Sequence, residues 1–396
     1  MPKPAVLTHR IYSIDILRGA VIIIMALDHV RDYFHQTASI DSPTNLLTTT
    51  PLLFFTRWIT HFCAPTFVFL AGISAYLSGQ KKTTKDQSIF LLKRGFWLIF
   101  IEMAIVTLGW TFDPLYHVLI LQVIWAIGIS MVILGLMVWL PVNVILCCGL
   151  LIICFHNLLD QGEIMRNGKV GILWDLMHHG NFQAIQFAPN HIFLLIYPFL
   201  PWTGIMLLGY GMGRIFTHSF SPKRRRKILF IAGSVFFLGF FILRSYNHYG
   251  DPAHWYMQKT QLFSWLSFIN LSKYPPSLDY IALTIGVAMI VLGLLDKVSG
   301  SSFAFVKVFG RVPFFFYILH IYLIHSLTVV LFFIQGYTNK DIAPQRIPFY
   351  FRPDHFGFGL AGVYLLWIAV ILILFPFCKW YDNYKTTHTK WWLSYI

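Results

Sequence analysis

From residue 13 to residue 35 the chain reads Ser-Ile-Asp-Ile-Leu-Arg-Gly-Ala-Val-Ile-Ile-Ile-Met-Ala-Leu-Asp-His-Val-Arg-Asp-Tyr-Phe-His. The segment is apolar and long enough to cross a bilayer, yet it carries Asp15, Arg18, Asp28, His29, Arg31, Asp32 and His35. Ionisable groups in such a segment are expensive, so each is a functional candidate. Arg18 and His29 are eleven residues apart, three helical turns plus about 20°, which puts them on one face roughly 16 Å apart along the axis. Asp15 lies one turn before Arg18 on the same stripe. Asp32 follows His29 at i+3, whereas Asp28 lies about 100° around the helix. A guanidinium holds phosphate or carboxylate through two parallel hydrogen bonds, and an imidazole takes a proton near neutral pH. The stripe suits an anionic donor at its Arg18 end and an acceptor deprotonated at its His29 end. The same residues also fit a blander role, with Arg18 snorkelling to the membrane face and His29 satisfied among its aspartates.

Other apolar segments add candidates. The second carries Arg57, Thr60 and His61 ahead of Pro65, whose missing N–H frees the carbonyl four residues back and bends the helix beside His61. His61 is a second site histidine or a structural one. The ninth opens Gly310-Arg311-Val-Pro313 and continues to Tyr317, His320 and His325; Tyr317 and His320 share one face at i, i+3. Arg57, His61, Tyr317 and His320 join Arg18 and Asp15 as candidate donor-binding residues, and His29, His35, Asp28 and Asp32 are the candidate catalytic set. Glu102 and Asp279 are further intramembrane carboxylates. The sixth segment, with Pro198, Pro201 and a glycine stripe at Gly204, Gly209, Gly211 and Gly213, reads as a bent, closely packed helix.

These side chains need a scaffold, and composition says which kind. Of 396 residues, 57% are hydrophobic and 12% charged, half the usual charge of a soluble domain, and the mean hydropathy is +0.65. Apolar runs of spanning length fall near 13–34, 56–78, 88–110, 117–139, 141–158, 191–216, 227–246, 276–296, 311–335 and 357–379. The expectation is an all-α, polytopic membrane bundle of about ten helices forming one domain over 1–396. The net charge of +14 does not imply a nucleic-acid partner, because the basic residues cluster in short connections. Lys81, Lys82 and Lys85, then 223–227, then Lys297, Lys307 and Arg311, then Lys379, Lys385 and Lys390 all fall on one side if ten spans alternate. That side is the cytoplasm, with both termini, and the connections 35–55, 159–190, 247–275 and 336–356 face outward. The opening MPKPAVLTHR is too polar for a signal peptide. The five cysteines show no metal or disulfide spacing, so no metal is expected. Phosphate-binding loops, nucleophile elbows and zincin motifs are missing from the sequence.

In order along the chain, Ser13-Ile-Asp15-Ile-Leu-Arg18-Gly19, Phe67-Val-Phe69-Leu-Ala-Gly72, Pro201-Trp202-Thr203-Gly204 and Gly310-Arg311-Val-Pro313 with Tyr317-x-x-His320 resemble the heparan-alpha-glucosaminide N-acetyltransferase catalytic domain family. More closely, they resemble its shorter bacterial membrane relatives, over nearly the whole chain. The resemblance implies a transmembrane acyltransferase that uses acetyl-CoA or another acyl-CoA as donor co-substrate. The acyl group would pass from the cytoplasm to a sugar hydroxyl or amine of a carbohydrate or glycoconjugate on the outer face. A histidine would deprotonate the acceptor or carry the acetyl group transiently, and an aspartate would orient it. The Arg18 to His29 spacing is similar to the Arg-x10-His of membrane acyltransferases that O-acetylate polysaccharides. The eukaryotic heparan enzyme has asparagine where His29 stands and its histidine in the following loop, where His35 is nearest. His29 and His35 both stand as the base. The implied setting is a bacterial plasma membrane, with lipid as a partner and a homodimer left open. A transporter or flippase for a polar or lipid-linked substrate is the alternative, since intramembrane charge and bent helices serve it equally.

The orientation predicts that cysteines placed at Lys82 and Lys223 are shielded from an impermeant thiol reagent in intact cells, while one at Gly336 is labelled. Labelling of both lysine positions from outside would reverse it.

Overall fold

The chain was analysed as a computed structural model, which describes residues 11–160, 171–179, 182–298, 302–344 and 347–394. The segment MPKPAVLTHR and part of the 159–190 connection lie outside the described residues. Helix α1, Tyr12–Phe34, has Asp15 in its first turn and Arg31 in its last, each charge opposing the helix dipole. Helix α2, Pro51–Trp58, starts on a Thr50 side-chain cap with proline at its first position. It runs through a tightened 3-10 turn, Ile59–Phe62, into α3, Cys63–Gly79. The turn sits where Pro65 deprives the His61 carbonyl of its helical partner. That carbonyl accepts instead from Tyr280 Oη at 2.7 Å.

Helix α4, Thr84–Ile101, passes through a wide π turn, Glu102–Val106, into the short α5, Thr107–Thr111. Strand β1, Val118–Leu121, precedes α6, Val123–Met137, and α7, Val142–Phe155. Strands β2, Gln183–Ala188, and β3, His191–Leu195, complete a small sheet in which β3 pairs parallel with β1 and antiparallel with β2. There follow α8, Phe199–Met212; α9, Pro222–Tyr246; α10, Gln261–Ile269; and α11, Leu278–Leu295. The last three are α12, Ala304–Arg311; α13, Pro313–Ile334; and α14, Leu360–Thr387.

The chain is thus predominantly helical, and the sheet takes residues 118–121 and 191–195 that the hydropathy reading assigned to the fourth and sixth spans. Short apolar runs do not distinguish strand from helix by periodicity. Among the described residues, five stretches are long and apolar enough to cross a membrane: Pro51–Gly79, Pro222–Tyr246, Leu278–Leu295, Pro313–Ile334 and Leu360–Thr387. Val123–Met137 and Val142–Leu158 are apolar but shorter. Helix α1 has the length but is too rich in charge to count with them. Helices α9 and α14 bury only 22% of their apolar windows and leave the rest on the outside of the bundle, whereas α11 buries 72% and lies inside.

Close approach of backbones holds α1 in place. A Cβ at Gly310 would lie 1.8 Å from the Asp15 carbonyl oxygen, and one at Gly19 would lie 2.0 Å from that of Val306. Likewise a Cβ at Gly72 would meet the Met206 carbonyl at 2.2 Å, and one at Gly209 that of Phe69 at 2.2 Å. Two glycine pairs therefore set the α1–α12 and α3–α8 crossings.

Because the opposing atoms at Gly310 belong to backbone, Gly310→Ala is expected to destabilise the fold by about 1–3 kcal/mol or more. Gly239→Ala, whose Cβ meets nothing within 4 Å, should leave stability unchanged. Thermal unfolding in detergent compares the two variants.

Candidate functional site

Helix α1 supplies two polar ends joined by an apolar middle. Arg18, Ile22 and Met25 share one face and line a cavity of about 330 Å³. Ser74 of α3, Leu98 of α4 and Tyr317 of α13 contribute to its remaining walls. Four cations, Arg18, Arg94, Arg311 and Lys385, also line it. Arg18 donates from Nη2 to Ser74 Oγ at 2.8 Å and from Nη1 to the Gly310 carbonyl at 3.3 Å. Asp15 lies between Arg18 and Arg311, 3.9 Å from each, and Arg311 also pairs with Asp382 at 3.0 Å. Among the described residues the four cations outnumber Asp15 and Asp382 at the Arg18 end, a balance that suits an anionic ligand.

One turn beyond Met25 stands His29, whose Nδ1 lies 2.7 Å from His320 Nε2 on α13. His320 Nδ1 is 3.0 Å from the Phe316 carbonyl, which can only accept. In the neutral pair His320 therefore carries its proton on Nδ1, its Nε2 accepts from His29 Nδ1, and His29 is left with a lone pair on Nε2. Trp110 of α5 meets the His29 ring edge-on at 4.7 Å, and Tyr317 does so at 6.3 Å. His29 is partly exposed while His320 is fully buried, so the histidine able to meet a substrate is held by the one that cannot.

The aspartates beside His29 bind arginines. Asp28 accepts from Arg31 at 2.9 Å and, on its other oxygen, from Arg57 of α2. Asp32 accepts from Arg31 at 2.6 Å. Arg57 extends the cluster to Tyr274 Oη at 3.4 Å, and Lys273 adds a further buried positive charge nearby. The His29 Nδ1 nitrogen is bonded to His320, a histidine 291 residues away, rather than to either aspartate. Two arginines bind the carboxylates more strongly than a neutral ring would.

His35 sits just past the end of α1, its Nδ1 3.0 Å from Thr37 Oγ1. Burial and the positive charges of Arg31 and Arg352 push its ring below the usual histidine range. Its carbonyl, with that of Asp32, accepts from Arg352, which fastens the end of α1 to the 336–356 connection. His61 meets the Tyr280 ring at a T-shaped angle, 5.5 Å between ring centres. His325 is tied to the Gly109 and Tyr350 carbonyls at 3.0 Å each. Glu102 accepts from the Gln122 N–H at the start of α6, and Asp279 lies 3.9 Å from Arg244.

Sequence reasoning missed Arg94 and Lys385 as cavity cations, Trp110 beside His29, and Lys273, Tyr274 and Arg352 around the far end of α1. Arg94 carried the same signal as Arg18, a cation inside an apolar segment. Trp110 carried none, since tryptophan is ordinary in membrane helices.

The family model described as heparan-alpha-glucosaminide N-acetyltransferase, catalytic, matches residues 10–247, more than half of the chain. A comparison with curated proteins gives no match. The matched segment runs from α1 through α9 and holds Arg18, His29, His35, Arg57, His61 and Trp110; Tyr317 and His320 lie beyond it. The chain belongs to the heparan-alpha-glucosaminide N-acetyltransferase catalytic family, a family of membrane acetyltransferases.

Replacing Asp28 by asparagine keeps its volume but leaves Arg31 and Arg57 without their shared counter-charge. Asp28→Asn is expected to lower stability by about 3–5 kcal/mol. Asp32→Asn should cost markedly less, its side chain being 33% exposed. Thermal unfolding of the two purified variants checks the order; equal losses would take Asp28 from the centre of the cluster.

Proposed function

We propose that this acetyltransferase-family protein moves an acyl group, acetyl in the first instance, from acyl-CoA entering at the Arg18 end of α1 to a sugar hydroxyl or amine reached from the His29 end. The observation that carries the proposal is the continuity of the α1 face, with Arg18, Ile22 and Met25 lining the cavity and His29 one turn further on. Apolar walls suit the acyl-pantetheine arm, and the surrounding cations suit phosphates. A volume of about 330 Å³ holds the arm alone, so the nucleotide stays at the cationic mouth. On this proposal the Arg18 end faces the cytoplasm, in keeping with the basic connections. The family assignment lends nothing to a transporter.

The chemistry follows from the proton positions. The acceptor hydroxyl or amine attacks the thioester carbonyl carbon while His29 Nε2 removes its proton. The imidazolium keeps its Nδ1–H on the His320 lone pair, so the charge forms in a ring already oriented. As the tetrahedral adduct collapses, the C–S bond breaks and His29 returns the proton to the departing thiolate. His320 is a positioning residue here, and Arg18 binds the donor.

Arg18→Lys keeps the charge and loses the fork, so acetyl-CoA binding should weaken about tenfold while the protein still inserts. His29→Ala should lower transfer about 10²–10⁴-fold, and His35→Ala far less. Acetyl-CoA binding and thiol release, measured on detergent-purified protein, check all three. Wild-type turnover in His29→Ala would remove the general-base mechanism, and a large loss confined to His35→Ala would move the base to the loop.

A further inference from the structure

Acyl transfer by attack on a thioester turns a neutral carbonyl oxygen into an oxyanion, and the transfer proposed above leaves that oxygen without a partner. Two buried donors lie beside His29. Tyr317 is 4% exposed and Trp110 is 3% exposed, and neither Tyr317 Oη nor Trp110 Nε1 meets hydrogen-bond geometry with any described residue. Trp110 Nε1 lies within reach of Tyr317 Oη, which leaves the phenol O–H without an acceptor; buried donors are nearly always satisfied, so the pair calls for an acceptor that arrives from elsewhere. The indole N–H and the phenol oxygen are thus neighbours, and each ring meets the His29 ring at a T-shaped angle. Tyr317 also lines the donor cavity. An unpaired indole by itself would not make a site, since the Nε1 atoms of Trp125 and Trp202 are also open. Trp110 differs because it lies between His29 and Tyr317, and Tyr317 lines the cavity.

The fold pre-sets this arrangement. The π turn at Glu102–Val106 shifts the phase of α5 relative to α4 and so aims Trp110. Gly109 lets α5 lie against α13, where a Cβ would meet Tyr322 at 2.9 Å and Ile321 at 3.0 Å. The Trp110 carbonyl accepts from Tyr33 Oη at 2.5 Å, and its ring packs on Tyr33 and Phe349 at 5.7 and 5.3 Å. Tyr317 stands one turn before His320 on α13, so the tyrosine and the histidine that orients His29 move as one body.

We propose that Tyr317 Oη and Trp110 Nε1 form the oxyanion hole for the acyl thioester, donating two hydrogen bonds to the carbonyl oxygen as it gains charge; this rests on the acyl-transfer proposal. The acceptor heteroatom bonds to the carbonyl carbon, the π electrons go to the oxygen held by the two donors, and the acceptor proton goes to His29 Nε2. Collapse re-forms the carbonyl, breaks the C–S bond and passes the proton from His29 to the thiolate. Bonds that strengthen only with charge on the oxygen raise kcat and leave ground-state binding nearly unchanged.

The test uses the full-length chain purified in detergent, with acetyl-CoA as donor and glucosamine or water as acceptor, following release of the CoA thiol. Tyr317→Phe, which keeps the ring, is expected to lower kcat about 10²–10³-fold with the KM for acetyl-CoA within about twofold of wild type. Trp110→Phe should act in the same way, and the double variant should fall short of the product of the two losses because both donors serve one atom. Direct binding of acetyl-CoA to each variant shows that the cavity is intact. A kcat within about threefold of wild type in Tyr317→Phe, or a raised KM with unchanged kcat, overturns the oxyanion hole while leaving acyl transfer standing. Wild-type protein that binds acetyl-CoA but releases no thiol with either acceptor, or that does not bind it, overturns both.

Discussion

The ion pairs of Asp28 with Arg31 and Arg57 are what allow α1 to lie inside the bundle. A helix with five charged residues cannot face hydrocarbon, and neither can its charges be buried singly. Asp28 removes two problems at once by giving one oxygen to its own helix and the other to α2. With that charge settled, α1 can be wrapped by α3, α11, α12, α13 and α14, and the apolar stretch between its two polar ends can border a cavity. The site is therefore a consequence of how a polar helix was made tolerable within lipid. The pairing also frees the imidazole of His29 to take its partner from α13.

Much of this was legible in one segment of sequence. A period of 3.6 residues was enough to put Arg18 and His29 on one face, and the cavity and the histidine pair lie along that face. Three of the four resemblance blocks hold a glycine at a backbone crossing. Gly19 with Gly310, and Gly72 with Gly209, are points where two main chains nearly touch, so larger residues are excluded there whatever the substrate. What could not be read was contact at long range. His29 and His320 are 291 positions apart, and only the path of α13 past α1 brings them together. The aspartates beside His29 suggested an orienting carboxylate, but Arg31 and Arg57 compete for the same oxygens and bind them more strongly.

Hydropathy was less reliable about the elements than about the class. It marked ten apolar runs, and five helical stretches of spanning length and apolarity are seen among the described residues. Residues 118–121 and 191–195 became strands because a run of four or five apolar residues serves either structure, and pairing with a neighbouring segment decides between them. The ninth run, 311–335, is the single helix α13, and α12 ends at Arg311 just ahead of it, since Pro313 cannot donate to a preceding turn. That division lets Gly310 press on α1 while Tyr317 and His320 rise past its middle.

The Arg352 clamp has a consequence for traffic. Its guanidinium donates to the Asp32 and His35 carbonyls at 3.0 and 2.8 Å, to Ser39 Oγ at 3.2 Å and to the carbonyl of Pro353, so one side chain ends α1 and anchors a long connection. A helix end held in this way cannot double as a hinge: swinging the 336–356 connection aside would strip the last turn of α1 of its cap and loosen the turn that carries Asp32. The Arg352 end of that connection is a fixed jamb. The 247–275 connection is fastened as well, its Ile269 carbonyl accepting from Trp58 at 3.0 Å and its Asn270 donating to the Thr44 carbonyl at 3.1 Å, so two connections brace the elements around the far end of α1.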